Sequence, residues 1–217
     1  NMSFRARNSL VAAAGLLALS GAASAQLQEI CYEDSIPLQP TNWVGEMLDI
    51  QMFDPAIGIL VGIEFTLEGT AEGSAGIESL DATPTTVMTS FQATLEVQRP
   101  DTTPIVVAIP SAMFSDDLTA YDGITDFRGT SGITHAGIQS TVMETASSPP
   151  PASALALFTG VGVISLPVSG LGTSSASGSG NLLTQFMTSA SCTLTVCYTY
   201  ELDCNMNGVP DDMDIAA

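Results

Sequence analysis

The chain has 217 residues, with 4 Lys and Arg against 23 Asp and Glu, and a formal net charge of −19 at pH 7. All four basic residues are arginines, so the chain lacks the basic patch with which nucleic-acid-binding proteins neutralise phosphates, and anionic membrane surfaces are disfavoured for the same reason. A hydrophobic fraction of 45% argues against a disordered chain and provides for a core within one domain.

Residues 1–25 have the three parts of a secretory signal peptide. Arg5 and Arg7 form a positive n-region, residues 10–19 form an apolar stretch, and residues 23–25 (Ala-Ser-Ala) form a cleavage site. The apolar stretch is shorter than the ~20 residues that a membrane-spanning helix needs. Cleavage removes two arginines and none of the acids, which changes the net charge from −19 to −21. We therefore expect an exported, strongly acidic chain that attracts cations.

Three segments of the mature chain alternate between apolar and polar residues, the period of a strand with one buried face. They are residues 57–67, 87–97 and 192–200. Shorter candidates bring the total to about ten strands; they cover residues 30–36, 46–53, 75–80, 104–109, 155–158, 161–168 and 182–188. No helical periodicity supplies the crossovers of a parallel sheet. The sequence predicts an all-β antiparallel β-sandwich over residues 26–202, of jelly-roll or immunoglobulin-like type.

Residues 155–171 form a long uncharged run. Its glycines, its proline and its β-branched side chains suit strands better than a membrane-spanning helix. We therefore expect buried strands here and no transmembrane segment in the mature chain.

The four cysteines, Cys31, Cys192, Cys197 and Cys204, all lie in the mature part. An even number of cysteines in an exported chain predicts two disulfides. Zinc is the alternative, but gaps of 161, 5 and 7 residues lack the paired close clusters of zinc sites. Strand parity places Cys31 and Cys197 on outer faces, so these two can pair if their strands are neighbours. Cys192 would then pair with Cys204.

Four aspartates lie between residues 116 and 126: Asp116, Asp117, Asp122 and Asp126. They can form a solvated acidic loop, a second calcium site between sandwich loops, or a glycosidase pair. The glycosidase also needs a cleft lined with aromatic side chains, and only 6% of the chain is aromatic. The sole histidine, His135, lies in a Gly- and Thr-rich stretch with no nucleophile elbow. We therefore expect no catalytic residues.

The most specific motif is the twelve-residue segment 203–214, DCNMNGVPDDMD. Its oxygen-bearing residues and the glycine Gly208 have the spacing that wraps hard oxygen ligands around one calcium ion. The predicted ligands are Asp203, Asn205, Asn207, the carbonyl of Val209, Asp211 and Asp214. Because the last ligand is Asp where an EF-hand has Glu, the motif resembles the calcium loops of dockerin and thrombospondin type 3 repeats. Such loops usually occur in tandem, so we expect residues 203–217 to be a truncated repeat; an acidic turn that binds nothing is the alternative.

Six short sequence motifs, here called landmarks, occur in a fixed order over most of the mature chain and carry a resemblance to a known family. They are Phe53-Asp54-Pro55 with residues 57–60 (IGIL), residues 121–123 (YDG) and 127–132 (FRGTSG), residues 157–160 (LFTG), 178–181 (GSGN) and 196–200 (VCYTY). Together they resemble the bacterial choice-of-anchor E family. The resemblance implies a secreted domain displayed at the cell surface through a C-terminal anchoring segment, and it assigns no chemistry. In this chain the calcium-loop repeat takes the place of a hydrophobic sorting helix.

We therefore expect a secreted or cell-surface, non-enzymatic protein that binds calcium and acts in surface display, adhesion or extracellular structure. Its partners would be calcium ions and an extracellular polysaccharide or protein. A carbohydrate-binding module is the first alternative, and it predicts a row of exposed aromatics drawn from Trp43, Tyr121, Tyr198 and Tyr200. A glycoside hydrolase is the second, and it predicts two acids of residues 116–126 facing a deep pocket.

Overall fold

A computed structural model describes residues 27–148, 152–178, 180–203 and 207–210. The predicted signal peptide lies outside these ranges. The described elements are β1 (Gln28–Pro40), β2 (Trp43–Gln51), β3 (Ile59–Ser79), β4 (Thr85–Gln98), β5 (Pro104–Ala108), β6 (Ser111–Leu118), β7 (Gly132–Ser148), α1 (Ala152–Phe158), β8 (Val163–Gly172), β9 (Ser175–Ser177) and β10 (Leu182–Glu201). Within these ranges no helix has the length and apolar character needed to cross a membrane.

The strands form two antiparallel sheets packed face to face. One sheet, here called the β3 sheet, has the order β1-β10-β3-β7. The other, here called the β4 sheet, has the order β2-β8-β4-β5, and β6 and β9 also pair with β4. All these strand pairs are antiparallel. The predicted all-β antiparallel sandwich is therefore confirmed.

The alternating segments at residues 87–97 and 192–200 lie in strands with the predicted face inward, whereas in the segment at residues 57–67 only Ile63, Phe65 and Leu67 of the predicted face are buried and Ile57 is exposed. In β4 every second residue from Val87 to Val97 is buried, and in β10 the same holds from Cys192 to Tyr198. β3 begins two residues later than predicted but runs on to Ser79, so it also takes in residues 75–79 of the separate candidate at residues 75–80. It passes through a register shift between Gly73 and Ser74, where the sequence suggested a break.

The strand predicted at residues 155–158 is wrong, because this segment belongs to the helix α1. Ala and Leu, which fill most of α1, are strong helix formers. Ala154 and Phe158 are buried and lie four residues apart, on one face of the helix. The Phe158 ring meets Phe65 of β3 edge-on, with ring centroids 5.3 Å apart. Tertiary packing thus accounts for a helix too short for its periodicity to be recognised.

A buried tyrosine joins the two sheets. The Tyr198 hydroxyl on β10 donates a hydrogen bond of 3.0 Å to the backbone carbonyl of Gln51 on β2. The ring is fully buried, and burial raises the pKa of Tyr198 well above its usual value. The side chain therefore stays neutral, and its polar end is satisfied inside the core.

The disulfide Cys31–Cys197 joins β1 to β10 at directly paired positions, with Cα atoms 4.0 Å apart. This confirms the pair allowed by strand parity. The predicted second bridge is wrong, because Cys192 is a free thiol on the buried face of β10. Cys204 lies outside the described residues. Asp203, which precedes Cys204 in the sequence, follows the end of β10 at Glu201. The strand between Cys192 and Glu201 is about 30 Å long, so Asp203 lies far from Cys192.

We expect Cys192 to be protected from alkylation in the folded protein. Burial raises the pKa of its thiol from 9.0 to about 11, so at pH 8 the folded state holds on the order of 100-fold less thiolate than the unfolded state. Iodoacetamide labelling of the Cys192 peptide, followed by mass spectrometry with and without urea, measures this. Equal labelling rates with and without urea would contradict the burial of Cys192. Because the pKa of Cys192 is higher in the folded state than in the unfolded state, the free energy of unfolding should fall as the pH rises from about 9 towards 11.

We expect Gly170→Ala to destabilise the fold by about 1–3 kcal/mol. Gly170 of β8 pairs with Trp43 of β2, and a Cβ at position 170 would overlap the indole ring. The matched control is Gly62→Ala, whose Cβ would meet the Thr199 Cβ at an ordinary 3.6 Å. Urea unfolding followed by the fluorescence of the single tryptophan should give a lower midpoint for Gly170→Ala. Equal midpoints would show that the indole does not occupy this position.

Candidate functional site

The predicted calcium loop is described at Asp203 and at residues 207–210. The Asp203 carboxylate is buried, and its two oxygens accept hydrogen bonds from the backbone N–H groups of Asn207 (3.2 Å) and Gly208 (2.9 Å). The Asn207 side-chain oxygen accepts a further bond of 2.7 Å from the Val209 N–H. Gly208 has a φ of +83°, a conformation that favours glycine. The chain therefore curls around the carboxylate of the first predicted ligand.

Three of the six predicted ligands, Asn205, Asp211 and Asp214, lie outside the described residues. The donor chemistry fits calcium, because carboxylate, amide and carbonyl oxygens are its preferred ligands. A carboxylate that accepts two N–H bonds also keeps lone pairs for a cation, since its two oxygens offer about four acceptor sites. The ligand set itself stays a prediction.

The loop lies against one end of the sandwich, beside a cavity of about 650 Å³. Asp203 and Gly208 contribute to its wall, and the remaining lining is largely apolar and comes from the β2–β3 connection, β3, α1 and Thr159 directly after α1. Phe53 lies next to this cavity, with its ring centroid 5.2 Å from that of Tyr200. Its backbone N–H bonds to the Phe158 carbonyl, and its carbonyl accepts the Gly160 N–H, both at 2.9 Å. The landmarks at residues 53–60, 157–160 and 196–200 therefore meet at the same end as the loop.

The acidic segment at residues 116–126 does not form a shared site. Asp116 and Asp117 are consecutive on β6, so their side chains point to opposite faces. Asp117 accepts a bond of 2.6 Å from the Thr86 hydroxyl. Asp122 and Asp126 each accept a backbone N–H two residues further along the chain, both at 2.9 Å. These contacts support neither the second calcium site nor a facing pair of catalytic carboxylates.

His135 bridges the two sheets at their edge. Its Nε2 lies 2.8 Å from the Asp116 carboxylate, and its ring stacks on Phe114 with centroids 4.0 Å apart. β6 pairs with β4 whereas β7 belongs to the β3 sheet, so this contact joins the sandwich halves. Within the described ranges it is the one contact of 4.0 Å or less between a basic side chain and a carboxylate. Most acids among the described residues therefore have no basic side chain in direct contact.

Glu78 is a key residue that sequence reasoning missed. Its side chain is fully buried, and it accepts hydrogen bonds of 2.7 Å from both the Ser131 hydroxyl and the Phe127 N–H. Phe127 has a φ of +57° and lies over Gly76, where a Cβ would come within 3.1 Å of its ring. The FRGTSG landmark thus folds back onto β3 and has a structural role. The available signal was an acid inside the apolar run at residues 75–80.

The aromatics of the carbohydrate-binding alternative do not form an exposed row. Trp43 and Tyr198 are buried in the core, with 9% and 0% of their surface exposed. Tyr121 and Tyr200 are half-buried. Strand alternation already indicated an inward face for Tyr198, whereas Trp43 and Tyr121 lie outside the alternating segments and had no predicted face.

Among the described residues, Glu29, Cys31 and Cys197 form the one group of three metal-ligating side chains within 4.8 Å of one another. The two sulfurs are bonded to each other, so neither is a thiolate available to a metal. The group also offers only one hard oxygen side chain, whereas calcium takes about six to eight oxygens. It is therefore not a calcium site.

No family model and no curated protein match the chain. Among solved structures, the chain is similar to a structure of infectious bursal disease virus, Gx strain, with 14% identity and a TM-score of 0.24, covering 88% of this chain and 42% of the other. It is also similar to the VP2 subviral particle of that virus, with 11% identity and a TM-score of 0.22, covering 89% and 42%. The chain thus spans less than half the length of these proteins, and likeness at this level carries no functional inference.

We expect Glu78→Ala to cost about 2–4 kcal/mol of folding stability, because the partly buried N–H of Phe127 and the buried Ser131 hydroxyl lose their acceptor. Glu68→Ala is the matched control: Glu68 lies on the same strand with its side chain exposed, and its removal should change stability by less than about 0.5 kcal/mol. Urea unfolding measures both. Limited proteolysis should also cut residues 119–131 faster in Glu78→Ala. Equal stability of the two variants would contradict the anchoring role.

Proposed function

We propose that this protein is an exported, non-catalytic β-sandwich protein that acts in surface display, adhesion or extracellular structure, and that its C-terminal loop binds calcium. The proposed ligands are Asp203, Asn205, Asn207, the Val209 carbonyl, Asp211 and Asp214. The observation that carries the calcium proposal is the turn in which Asn207 and Gly208 donate to the buried Asp203 carboxylate. This turn brings the first and third predicted ligand residues close together.

Electrostatics support a cation at this loop. The segment from Asp203 to Asp214 holds four aspartates and no basic residue, in a chain of net charge −19. Bringing these carboxylates together without a counter-ion is unfavourable because like charges repel. A divalent ion removes that repulsion and ties the loop to the end of the sandwich, where Asp203 is already buried.

The extracellular location is supported by the Cys31–Cys197 disulfide, since such bonds persist in oxidising compartments. The disulfide joins the first described strand to the last one, so it would resist unravelling of both chain ends outside the cell. Display at a surface is what the resemblance to the choice-of-anchor E family implies. In this chain the calcium repeat would take the place of the family's anchoring segment.

We expect calcium to raise the melting temperature of the mature chain, residues 26–217. With a Kd of ~1 mM and about 10 mM free calcium, the free energy of unfolding should rise by roughly 1.4 kcal/mol, which raises the Tm by about 3–6 °C. Thermal melts in calcium, in magnesium and in chelator measure it. The double variant Asp211→Ala/Asp214→Ala should lose the calcium response.

The matched control is Asp212→Ala, which removes a carboxylate from the same segment at a position that the loop does not use as a ligand. This variant should keep the calcium response. If the double variant responds as strongly as the unmodified chain, calcium binds elsewhere and the loop assignment is wrong. If the unmodified chain does not respond, the calcium proposal is wrong.

A further inference from the structure

The β3 sheet bends where β3 and β7 fall out of simple register, as strands do at a bulge. The pairing shifts between Gly73 and Ser74, and the extra residue on β7 is Gly137, with a φ of +66°. Gly73 also tolerates no side chain, because a Cβ there would overlap the backbone carbonyl of Met187 on β10. The pairing of β1 with β10 is also irregular nearby, between Ile36 and Gln39, whose partners on β10 are Cys192 and Ala190. The sheet is therefore irregular on both sides of the β3–β10 pair.

Two adjoining cavities open at this bend. They measure about 350 Å³ and 750 Å³ and share Gly73 and Ser189 in their walls. We call the combined depression the bend groove. Each volume lies in the range of small-molecule sites, about 300–1,000 Å³. The groove runs from Leu38 at the end of β1 to Met187 on β10, across the strands and not along one strand edge.

The polar part of the bend groove is an amide paired with a carboxylate. The Gln139 side-chain nitrogen donates a hydrogen bond of 2.9 Å to Glu72 Oε1. This bond holds both planar groups in place while the amide keeps a second N–H and its carbonyl, and the carboxylate keeps its other oxygen. Ser74 and Ser189 add hydroxyl groups. The groove can therefore both donate to and accept from a ligand's hydroxyls.

The apolar part consists of exposed side chains beside these polar groups. Met187 has 62% of its surface exposed and Leu38 has 48%, although each costs free energy when left in water. Phe186 and Pro40 extend the apolar wall of the larger cavity. A ligand that offers C–H surface together with hydroxyls matches this mixture.

We propose that the bend groove binds a segment of an uncharged polysaccharide. The described residues that line it include Glu72 but no Arg or Lys, so sulfated or uronic-acid chains would be repelled. An extended peptide would gain its affinity by adding to a strand edge, and the groove crosses the strands instead. Sugar rings present hydroxyls around their rim and C–H groups on their faces. This site is separate from the calcium loop and from the aromatics of the carbohydrate-binding alternative.

Methyl NMR of the mature chain labelled with [methyl-13C]methionine tests this proposal. The probes are the hexaoses of β-1,4-linked glucose and β-1,4-linked mannose, with hexagalacturonate as the acidic counterpart. We expect a neutral hexaose to shift the Met187 methyl signal saturably, with the signal assigned through Met187→Leu. The Met88 methyl, exposed on the β4 sheet, should not move.

Gln139→Ala should weaken hexaose binding about tenfold, which corresponds to one lost hydrogen-bonding partner. The matched control is Gln185→Ala on β10, an exposed glutamine outside the groove, whose Kd should stay within about twofold. Unchanged melting temperatures of both variants exclude unfolding as the cause. The proposal is overturned if neither neutral hexaose shifts Met187, if hexagalacturonate binds as well, or if Gln139→Ala binds like the unmodified chain.

Discussion

The pairing of β3 with β10 is the interaction on which the rest of this structure depends. It runs antiparallel from Leu182 opposite Ser79 to Glu201 opposite Ile59, and it places two apolar inner faces side by side. Leu67 lies opposite Leu194 and Phe65 opposite Val196, so the centre of the core is built from this pair. The strands join residues more than a hundred positions apart, and both neighbours in the β3 sheet pair with one of these two strands.

The candidate sites are arranged along this strand pair. At one end the chain leaves β10 and turns at once around Asp203, beside the apolar cavity closed by α1. At the other end Glu78 anchors residues 119–131 through Phe127 and Ser131. Between them Gly73 permits the bend that opens the groove. A continuous, regular sheet would offer none of these three features, because each arises where the pairing ends or shifts register.

The landmarks that carry the family resemblance have structural roles in this chain. The segments around Phe53, Phe158 and Tyr198 close the end of the sandwich next to the proposed calcium loop. The segment at residues 127–132 wraps the buried Glu78. The landmarks therefore have roles in holding the fold together. Asp203 of the proposed calcium loop and Gln139 of the proposed groove lie outside those landmarks.

Periodicity alone determined the strands at residues 87–97 and 192–200 and their buried faces, because alternation along a strand is a local property. Parity likewise allowed the Cys31–Cys197 pair, although only the neighbouring positions of β1 and β10 decided it. The loop spacing from Asp203 to Asp214 could also be read locally. Tertiary structure decided the helix at Phe158, the free thiol of Cys192, the burial of Glu78 and the groove at Gly73. Each of these depends on contacts between residues far apart in the chain, and no local pattern records which distant strand will lie alongside.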